Sequence, residues 1–264
     1  MKVLNQEKHP SGFFQALKQS QSRTLLLDYD GTLAPFRVKR DKAFPYPGVA
    51  EVLKQIIQQG ATRLVVVSGR CPDELIPLLG LKQLPEIWGS HGGERLLPDG
   101  TYQKEALSRQ DRRALEATAA WMAEMGWEPH LERKPFSLAL HWRGMSIKEK
   151  RNMQDKALEG VPLLVAGTGL CLQAFDGGLE LRPPGITKGH VVETILAEMQ
   201  RDTVAAYLGD DLTDEDAFAV LKTHSPQSIG VLVREELKET KADLWLRPPE
   251  ELLDFLGRWQ RATL

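Results

Sequence analysis

The stretch RTLLLDYDGTLAPF, residues 23–36, decides the fold class of this chain. Its apolar run at residues 25–27 has the composition of a short strand that is buried on both faces of a parallel sheet. Asp28 and Asp30 follow at once, and the turn at Gly31 can bring both carboxylates toward one pocket. Because open α/β folds bind their ligands at the carboxyl edge of the sheet, the stretch predicts a polar site at that edge.

The two aspartates have more than one interpretation. Two close carboxylates repel each other unless a cation or a shared proton offsets their charges. Asp28 and Asp30 therefore indicate either a divalent metal site or a nucleophile beside an acid. The alternative is an ordinary turn between a strand and a helix, in which Asp30-Gly31 makes the turn and Thr32 caps the next segment.

The composition is ordinary for a soluble globular protein, with 42% hydrophobic and 27% charged residues. A formal net charge of −2 gives no basic surface, so we expect neither nucleic acid nor an anionic membrane as a partner. The two cysteines form no CxxC motif, which argues against a disulfide framework and fits a reducing compartment. No apolar segment approaches the length of a membrane span, so a cytoplasmic protein is predicted.

A second apolar strand, at residues 64–67, ends in Ser68-Gly69-Arg70. A hydroxyl and an arginine at the tip of a parallel strand could bind a phosphate beside the first site. Alternatively, Ser68 caps the following helix and Arg70 is a surface charge. From the sequence alone these two interpretations are equally good.

A third strand is predicted at residues 85–89, and it continues into His91, Gly92 and Glu94. His91 is either a ligand or, as is more frequent, a side chain that anchors its own loop. The sequence has no second histidine nearby, which argues against a transition-metal site.

Residues 106–182 follow a different pattern. Helices here separate pairs of short strands, and one of the predicted strands is PLLVAGT at residues 162–168. Such an arrangement indicates an α+β module with an antiparallel sheet. We therefore predict a Rossmann-like parallel-sheet α/β core domain, residues 1–105 and 183–264, with an inserted α+β cap domain.

The α/β pattern then resumes. Lys188 is predicted just before a helix, where its ammonium could reach the sheet edge. A strand at residues 203–208 is followed by Gly209 and then by Asp210, Asp211 and Asp214. This acid cluster after an apolar strand repeats the construction of the first one, whereas the next two acids are more simply explained as the solvated start of a helix.

These motifs carry a family resemblance. DYDGTLAPF resembles the DxDGT signature of haloacid dehalogenase-type phosphatases, and VVVSGR, ITKG and LGDDLTDED are similar to the other three motifs of that superfamily, in the same order. Within it, the segments that resemble trehalose-6-phosphate phosphatases are HGGE at 91–94, ERKPFSLALHWR at 132–143, LELRPPGITKG at 179–189 and GDDLTDE at 209–215. HWR replaces an expected HYR, and GGE a common GAE; neither change removes an ionisable catalytic group.

The resemblance implies phosphoryl transfer through a covalent intermediate. Asp28 would attack phosphorus and form an aspartyl-phosphate. Asp30 would protonate the leaving sugar oxygen and later accept a proton from the attacking water. Mg²⁺ would be held by the Asp28 carboxylate, the backbone carbonyl of Asp30, and Asp210.

The resemblance also implies supporting and phosphate-binding groups. Asp211 and Asp214 would orient the water ligands of the metal, or Lys188. The phosphoryl oxygens would be bound by residues at the strand edge: Thr32, Ser68, Gly69, Arg70 and Lys188.

By the same resemblance, the inserted domain would close over the core, exclude water and bind the sugar. The sugar-binding positions would be Glu132, Lys134 and Glu180 in the insert and His91, Gly92 and Glu94 in the core. Each charged member of this set also has an ordinary salt-bridge interpretation.

We therefore predict a monomeric, Mg²⁺-dependent phosphatase that acts on a small-molecule sugar phosphate and releases trehalose from trehalose 6-phosphate. The alternatives are another substrate, such as sucrose 6-phosphate or mannosyl-3-phosphoglycerate, and a phosphomutase. A non-catalytic regulatory module is a further alternative, but such a module would be expected to lose its nucleophile or metal acids. This chain retains Asp28, Asp30, Lys188 and Asp210.

Overall fold

The computed structural model describes residues 1–37, 39–175, 177–200, 202–224 and 227–264. The chain divides into two compact units. One, the core unit, comprises Met1–Gln103 and Thr187–Leu264; the other, the inserted unit, comprises Lys104–Ile186. Within the described ranges, no helix combines the length and the apolar composition that crossing a membrane requires.

The strands, in chain order, are β1 (Lys2–Val3), β2 (Arg23–Asp28), β3 (Arg63–Val67), β4 (Glu86–Gly89), β5 (Glu94–Leu96), β6 (Tyr102–Lys104), β7 (Leu131–Arg133), β8 (Leu138–His141), β9 (Cys171–Phe175), β10 (Gly178–Arg182), β11 (Val204–Gly209), β12 (Ile229–Val233) and β13 (Leu244–Leu246). The helices are α1 (Pro10–Gln19), α2 (Val49–Gln59), α3 (Pro72–Leu79), α4 (Arg109–Glu124), α5 (Ile147–Leu164), α6 (Lys188–Ala197), α7 (Glu215–His224) and α8 (Glu250–Ala262).

The large sheet has the strand order β1-β13-β12-β11-β2-β3-β4-β5-β6. Its central strand, β2, runs parallel to both β11 and β3, with Leu27 beside Leu208 and Asp28 beside Val67. The carboxyl ends of these three strands therefore lie side by side, which places their following loops at one edge of the sheet. We call this edge the acidic edge, because it carries Asp28 and Asp210.

Both faces of the sheet are covered, as the continuous apolar runs predict. Leu25 and Leu27 pack in a cluster with Leu53 of α2 and Phe255 of α8. Leu26, which points to the other face, packs in a second cluster with residues of α6 and α7. The side chains of one strand thus alternate between two helical layers, and the predicted Rossmann-like α/β class is confirmed.

The inserted unit has an antiparallel sheet of order β7-β8-β10-β9 and the two helices α4 and α5. Its own apolar cluster includes Met122, Leu140 and Val161. The predicted α+β architecture of this part of the chain is confirmed.

The strand predicted at residues 162–168 is wrong, because α5 continues to Leu164 and contains Pro162. Met153, Ala157 and Val161 recur every four residues and are all buried, so packing of one helical face extends the helix into the apolar run that resembled a strand. Tertiary contact here outweighs local propensity.

Candidate active site

Asp28 ends the central strand and is buried at the acidic edge. Its Oδ1 accepts a hydrogen bond of 2.6 Å from Lys188 Nζ, and its Oδ2 accepts one of 3.0 Å from Thr32 Oγ1. Burial raises the pKa of Asp28 to about 7; Lys188 opposes this rise, and the nearby Asp214 and Asp30 add to it. Asp28 is thus a buried carboxylate whose negative charge Lys188 stabilises only in part.

Lys188 is the first residue of α6, rather than preceding that helix as predicted. Its Nζ also donates to Asp214 Oδ1 at 2.8 Å. Burial disfavours the charged ammonium, but Asp214 and Asp28 outweigh it and raise the pKa of Lys188. A lysine at a helix N-terminus is unfavourable beside the helix dipole, so the two carboxylates are what stabilise the charge there.

Asp214 connects the loop after β11 to Lys188. Its Oδ1 accepts from Lys188 and, at 2.6 Å, from the hydroxyl of Tyr207, while its Oδ2 accepts from the backbone N–H groups of Asp210 (3.1 Å) and Asp211 (2.9 Å). All four groups that contact the Asp214 carboxylate are hydrogen-bond donors. Asp214 therefore positions both the lysine and the acidic loop.

Asp210 lies opposite the turn of β2. A Cβ atom added at Gly31, whose φ is +90°, would lie 2.3 Å from Asp210 Oδ2, so only glycine allows this approach. Asp210 is 2% exposed, and its buried Oδ1 has no hydrogen-bond donor among the described residues. Burial, together with Asp28, Asp214 and the adjacent acid Asp211, raises its pKa well above the ordinary value.

The acidic edge fits a divalent cation. One carboxylate oxygen from each of Asp28, Asp210 and Asp214 lies within 4.8 Å of the others. Buried carboxylates at this spacing repel one another unless a cation lies between them. An all-oxygen ligand set is the type that Mg²⁺ prefers, and the unsatisfied Oδ1 of Asp210 offers a ligand atom.

Asp30 and Arg70 form a bidentate ion pair. Arg70 Nε donates to Asp30 Oδ2 at 2.6 Å, and Arg70 Nη2 donates to Asp30 Oδ1 at 2.7 Å. Arg70 is 4% exposed, so its interpretation as a surface charge is wrong. The interpretation of Ser68 as a helix cap is also wrong, because α3 begins after Cys71 and has no side-chain cap.

The loops after β3 and β4 are packed against each other. The backbone carbonyl of Ser68 accepts from the N–H of His91 at 2.9 Å, and Ser68 Oγ accepts from the N–H of Arg70 at 3.1 Å. A Cβ atom at Gly69 would lie 2.6 Å from His91 Nε2, and one at Gly92 would lie 2.6 Å from a methyl of Val191. Gly69 lets the loop after β3 approach the His91 side chain, and Gly92 lets the loop after β4 approach α6.

Glu94 is buried behind this loop, where its carboxylate accepts from the hydroxyls of Ser90 and Tyr102. Ser90 lies in the turn between β4 and β5, and Tyr102 lies on β6. Glu94, the first residue of β5, therefore links the segment that carries His91 to β6. This contact is compatible with the ordinary structural interpretation of Glu94.

In the inserted unit, the structure brings Lys134 and Glu180 together. Lys134 Nζ donates to Glu180 Oε1 at 2.9 Å, and Ser137 Oγ donates to the same oxygen at 2.6 Å. Glu132 lies on β7, where its Oε2 is 2.7 Å from Nε2 of His141 on β8. The inserted unit thus holds Lys134 and Glu180 as an ion pair and places Glu132 within hydrogen-bond distance of His141.

Two contributors escaped the sequence analysis. Tyr207 lies within an apolar strand, and Arg40 offers its backbone carbonyl to Arg70 Nη1 at 2.9 Å. A tyrosine inside a buried strand is itself a signal, because its hydroxyl requires a hydrogen-bond partner. No feature of the sequence predicts that the backbone carbonyl of Arg40 accepts a hydrogen bond from Arg70.

A parallel sheet covered by helices on both faces, with aspartates at the ends of its central and neighbouring strands, is the fold of a solved haloacid dehalogenase-like hydrolase from Bacteroides thetaiotaomicron, which is 17% identical with a TM-score of 0.64 and covers 90% of this chain and 99% of that one. The family model of the trehalose-phosphatases matches residues 26–249. The chain belongs to the trehalose-phosphatase family.

Individual relatives are consistent with this assignment. The probable trehalose-phosphate phosphatase 3 of Oryza sativa subsp. japonica is 30% identical over 282 residues, which cover 96% of this chain and 74% of the relative. The C-terminal domain of C. albicans trehalose-6-phosphate phosphatase is 23% identical, with a TM-score of 0.84 and 99% of each chain covered. The C-terminal domain of the Candida albicans trehalose synthase regulatory protein is 12% identical, with a TM-score of 0.74, covering 97% of this chain and 100% of that one. At these identities the two solved structures are evidence for the fold alone.

Proposed function

We propose that this chain hydrolyses trehalose 6-phosphate to trehalose and phosphate. The observation that carries the proposal is the buried network in which Lys188 bridges Asp28 and Asp214 beside the unsatisfied carboxylate oxygen of Asp210. Such a network brings a nucleophile, a fixed positive charge and a cation site together. The substrate follows from membership of the trehalose-phosphatase family and from the names of the relatives.

In the proposed mechanism, an oxygen of Asp28 attacks phosphorus and forms an aspartyl-phosphate, which water then hydrolyses. Thr32 and Lys188, which contact the two oxygens of Asp28, hold the carboxylate in place. The ammonium of Lys188 and the hydroxyl of Ser68 bind phosphoryl oxygens as negative charge develops on them. Asp30 protonates the leaving sugar oxygen and then takes a proton from the attacking water.

Mg²⁺ would be held by the carboxylates of Asp28 and Asp210 and the backbone carbonyl of Asp30. The ion supplies positive charge that offsets the repulsion between an anionic nucleophile and an anionic ester. Asp214 already accepts from four donors, so we assign it to positioning Lys188 and the acidic loop, with Asp211 beside it in a supporting role.

We further propose that the inserted unit is the cap that binds the sugar. Sugar hydroxyls need both donors and acceptors, and Lys134 and Glu180 offer both in one pair of side chains. Glu132 would contribute from β7 of the same unit. Within the core unit, His91, Gly92 and Glu94 stay predicted substrate-binding residues. The proposal assigns specificity to residues 106–182 and chemistry to residues 1–105 and 183–264.

Phosphate release from trehalose 6-phosphate in the presence of Mg²⁺ tests this function. The native chain and Asp28→Asn are compared on a panel that includes sucrose 6-phosphate and mannosyl-3-phosphoglycerate. Selective release from trehalose 6-phosphate that is lost in Asp28→Asn is the expected result. Release from another member of the panel alone overturns the substrate and keeps the chemistry.

A regulatory module is the second candidate, because the fold is shared with the trehalose synthase regulatory protein. The buried Asp28, Lys188 and Asp210 argue against it, since a module that only binds does not need to keep three charged groups away from water. Failure of the native chain to release phosphate from any sugar phosphate would favour this candidate.

The setting we propose is the cytoplasm, where the free thiols of Cys71 and Cys171 would stay reduced. We propose a monomer that needs no protein partner for its activity. Light scattering on the purified chain, with and without substrate, checks that state.

A further inference from the structure

The ion pair between Asp30 and Arg70 joins a partly accessible acid to a buried base. Arg70 is 4% exposed, whereas the side chain of Asp30 is 27% exposed. Both oxygens of Asp30 accept from the guanidinium, at 2.6 and 2.7 Å. Arg70 therefore binds the Asp30 carboxylate from its buried side, and part of the Asp30 side chain remains exposed to solvent.

The guanidinium is itself fixed by its surroundings. Its Nη1 donates to the carbonyl of Arg40 at 2.9 Å, and its Cζ lies 5.8 Å from the centre of the Tyr29 ring. The backbone of Arg70 is held as well, because its carbonyl accepts from the N–H of Ser90 at 2.9 Å. Because the planar Arg70 guanidinium has little conformational freedom, it fixes the plane of the Asp30 carboxylate that it binds.

We infer that Arg70 is a positioning residue, which fixes the orientation of the Asp30 carboxylate for proton transfer to and from the leaving group. The inference rests on the proposed function, in which Asp30 handles that proton. It replaces both sequence-based interpretations of Arg70, the phosphate ligand and the surface charge.

The proton transfers balance in both half-reactions. As Asp28 bonds to phosphorus, the ester P–O bond breaks, and its electron pair stays on the sugar oxygen, which takes the proton of Asp30. In the second half, a water oxygen bonds to phosphorus, its proton passes to Asp30, and the bond between Asp28 and phosphorus breaks. Arg70 uses one lone pair on each oxygen of Asp30, and because a carboxylate offers about four such sites, others stay available for the proton.

Substrates whose leaving groups differ in basicity distinguish a positioning role of Arg70 from phosphate binding or a purely structural role. A sugar alkoxide is a poor leaving group and needs a proton as the P–O bond breaks, whereas p-nitrophenolate leaves without one. A misplaced Asp30 therefore slows hydrolysis of a sugar phosphate and affects p-nitrophenyl phosphate much less. A damaged phosphate site or a damaged fold slows both.

The experiment measures kcat and KM with saturating Mg²⁺ for trehalose 6-phosphate and p-nitrophenyl phosphate. For Arg70→Ala we expect kcat to fall about 10- to 100-fold on the sugar phosphate and about threefold or less on the aryl phosphate. Arg70→Lys, which keeps the charge without the fork, should recover part of the loss on the sugar phosphate. The double variant Asp30→Ala/Arg70→Ala should be no slower on the sugar phosphate than Asp30→Ala alone.

Arg63→Ala is the matched control. Arg63 begins the strand β3 that Arg70 follows, and it too pairs with carboxylates, those of Glu86 and Glu198. Its replacement removes an arginine ion pair at the opposite end of the strand, so any change in kcat should be equal for the two substrates.

Equal losses of kcat on both substrates in Arg70→Ala and Arg70→Lys would mean that Arg70 only stabilises the fold. A rise in KM for both substrates, with kcat maintained, would mean that Arg70 is a phosphate ligand. Either result overturns the inference and leaves the proposed function intact. If the native chain hydrolyses only the aryl phosphate, or if Asp28→Asn keeps its activity, the proposed function fails, and the inference fails with it.

Discussion

The surroundings of Asp210 are the strongest indication of a cation site at the acidic edge. It is buried, it faces Asp28 and Asp214, and its Oδ1 has no donor among the described residues. Lys188 supplies one positive charge to this group of carboxylates, and it is already shared between Asp28 and Asp214. We therefore expect Asp210 to lower the stability of the metal-free chain and to raise it when a divalent cation is added.

Asp210→Asn tests this reasoning. Removing a buried like charge should raise the free energy of unfolding of the metal-free chain by about 1 kcal/mol or more, because Asp28 and Asp214 repel the ionised Asp210 in its buried position. The same change should abolish stabilisation by Mg²⁺. Urea unfolding in EDTA and in Mg²⁺ measures both effects, and Asp254→Asn, on the exposed side of α8, controls for the change in net charge. A metal-free variant less stable than the native chain would contradict the argument.

At the scale of secondary-structure elements, an ionic cluster joins strands of the core sheet at the end opposite the acidic edge. Glu86, the buried first residue of β4, accepts from Arg63 of β3 and Arg95 of β5, both at 2.9 Å, and from Trp88 Nε1 at 2.8 Å. Both arginines also donate to Glu198, just after α6. These contacts hold α6, whose first residue is Lys188, against the sheet from its far end.

Glu86→Ala should therefore separate stability from catalysis. The variant removes the buried carboxylate of the cluster and leaves both arginines paired with Glu198 alone. We expect this to cost about 1.5 to 3 kcal/mol of unfolding free energy, the range for hydrogen bonds to a charged group. Because the acidic edge keeps its own contacts, kcat should remain at the native value below the melting temperature. Chemical denaturation and steady-state kinetics measure the two quantities, and Glu51→Ala on α2 is the exposed control. A fall in kcat comparable to that of Asp28→Asn would place Glu86 in the site.

For the whole molecule, we expect stability and the proposed metal binding to be linked through pH. Burial raises the pKa of Asp28 to about 7 and that of Asp210 well above its ordinary value. A folded chain with raised carboxyl pKa values binds more protons than the unfolded chain, so this contribution to stability is greatest at low pH and is lost as pH rises through about 7.

Mg²⁺ should reverse that loss, since it binds the ionised carboxylates. We expect its stabilising effect, about 2.7 kcal/mol at a hundredfold excess over Kd, to be larger at pH 8 than at pH 6. Thermal melts in EDTA and in Mg²⁺ at each pH give the difference directly, and other titrating groups cancel from it. An equal shift at both values would show that these carboxyls do not titrate with the metal.

The sequence by itself determined the elements and the chemistry-bearing positions. Apolar runs such as residues 25–27 and 203–208 identify buried parallel strands because burial on both faces is a local property of composition. Aspartates directly after two such strands predicted the acidic edge, because parallel strands end at the same side of a sheet. The strand predicted at residues 162–168 failed because an apolar run of that length fits a buried helix equally well.

Only the tertiary structure decided which groups meet. Lys188 pairs with Asp28 across 160 positions of sequence, and Arg70 pairs with Asp30 across 40. Such pairings depend on the order of strands in the sheet, on the glycine that lets Asp210 approach the turn, and on the direction of each side chain. The local sequence pattern contains none of these features. Hydrogen bonds form between groups that are close in space, and residues far apart in the sequence become close only when the chain folds.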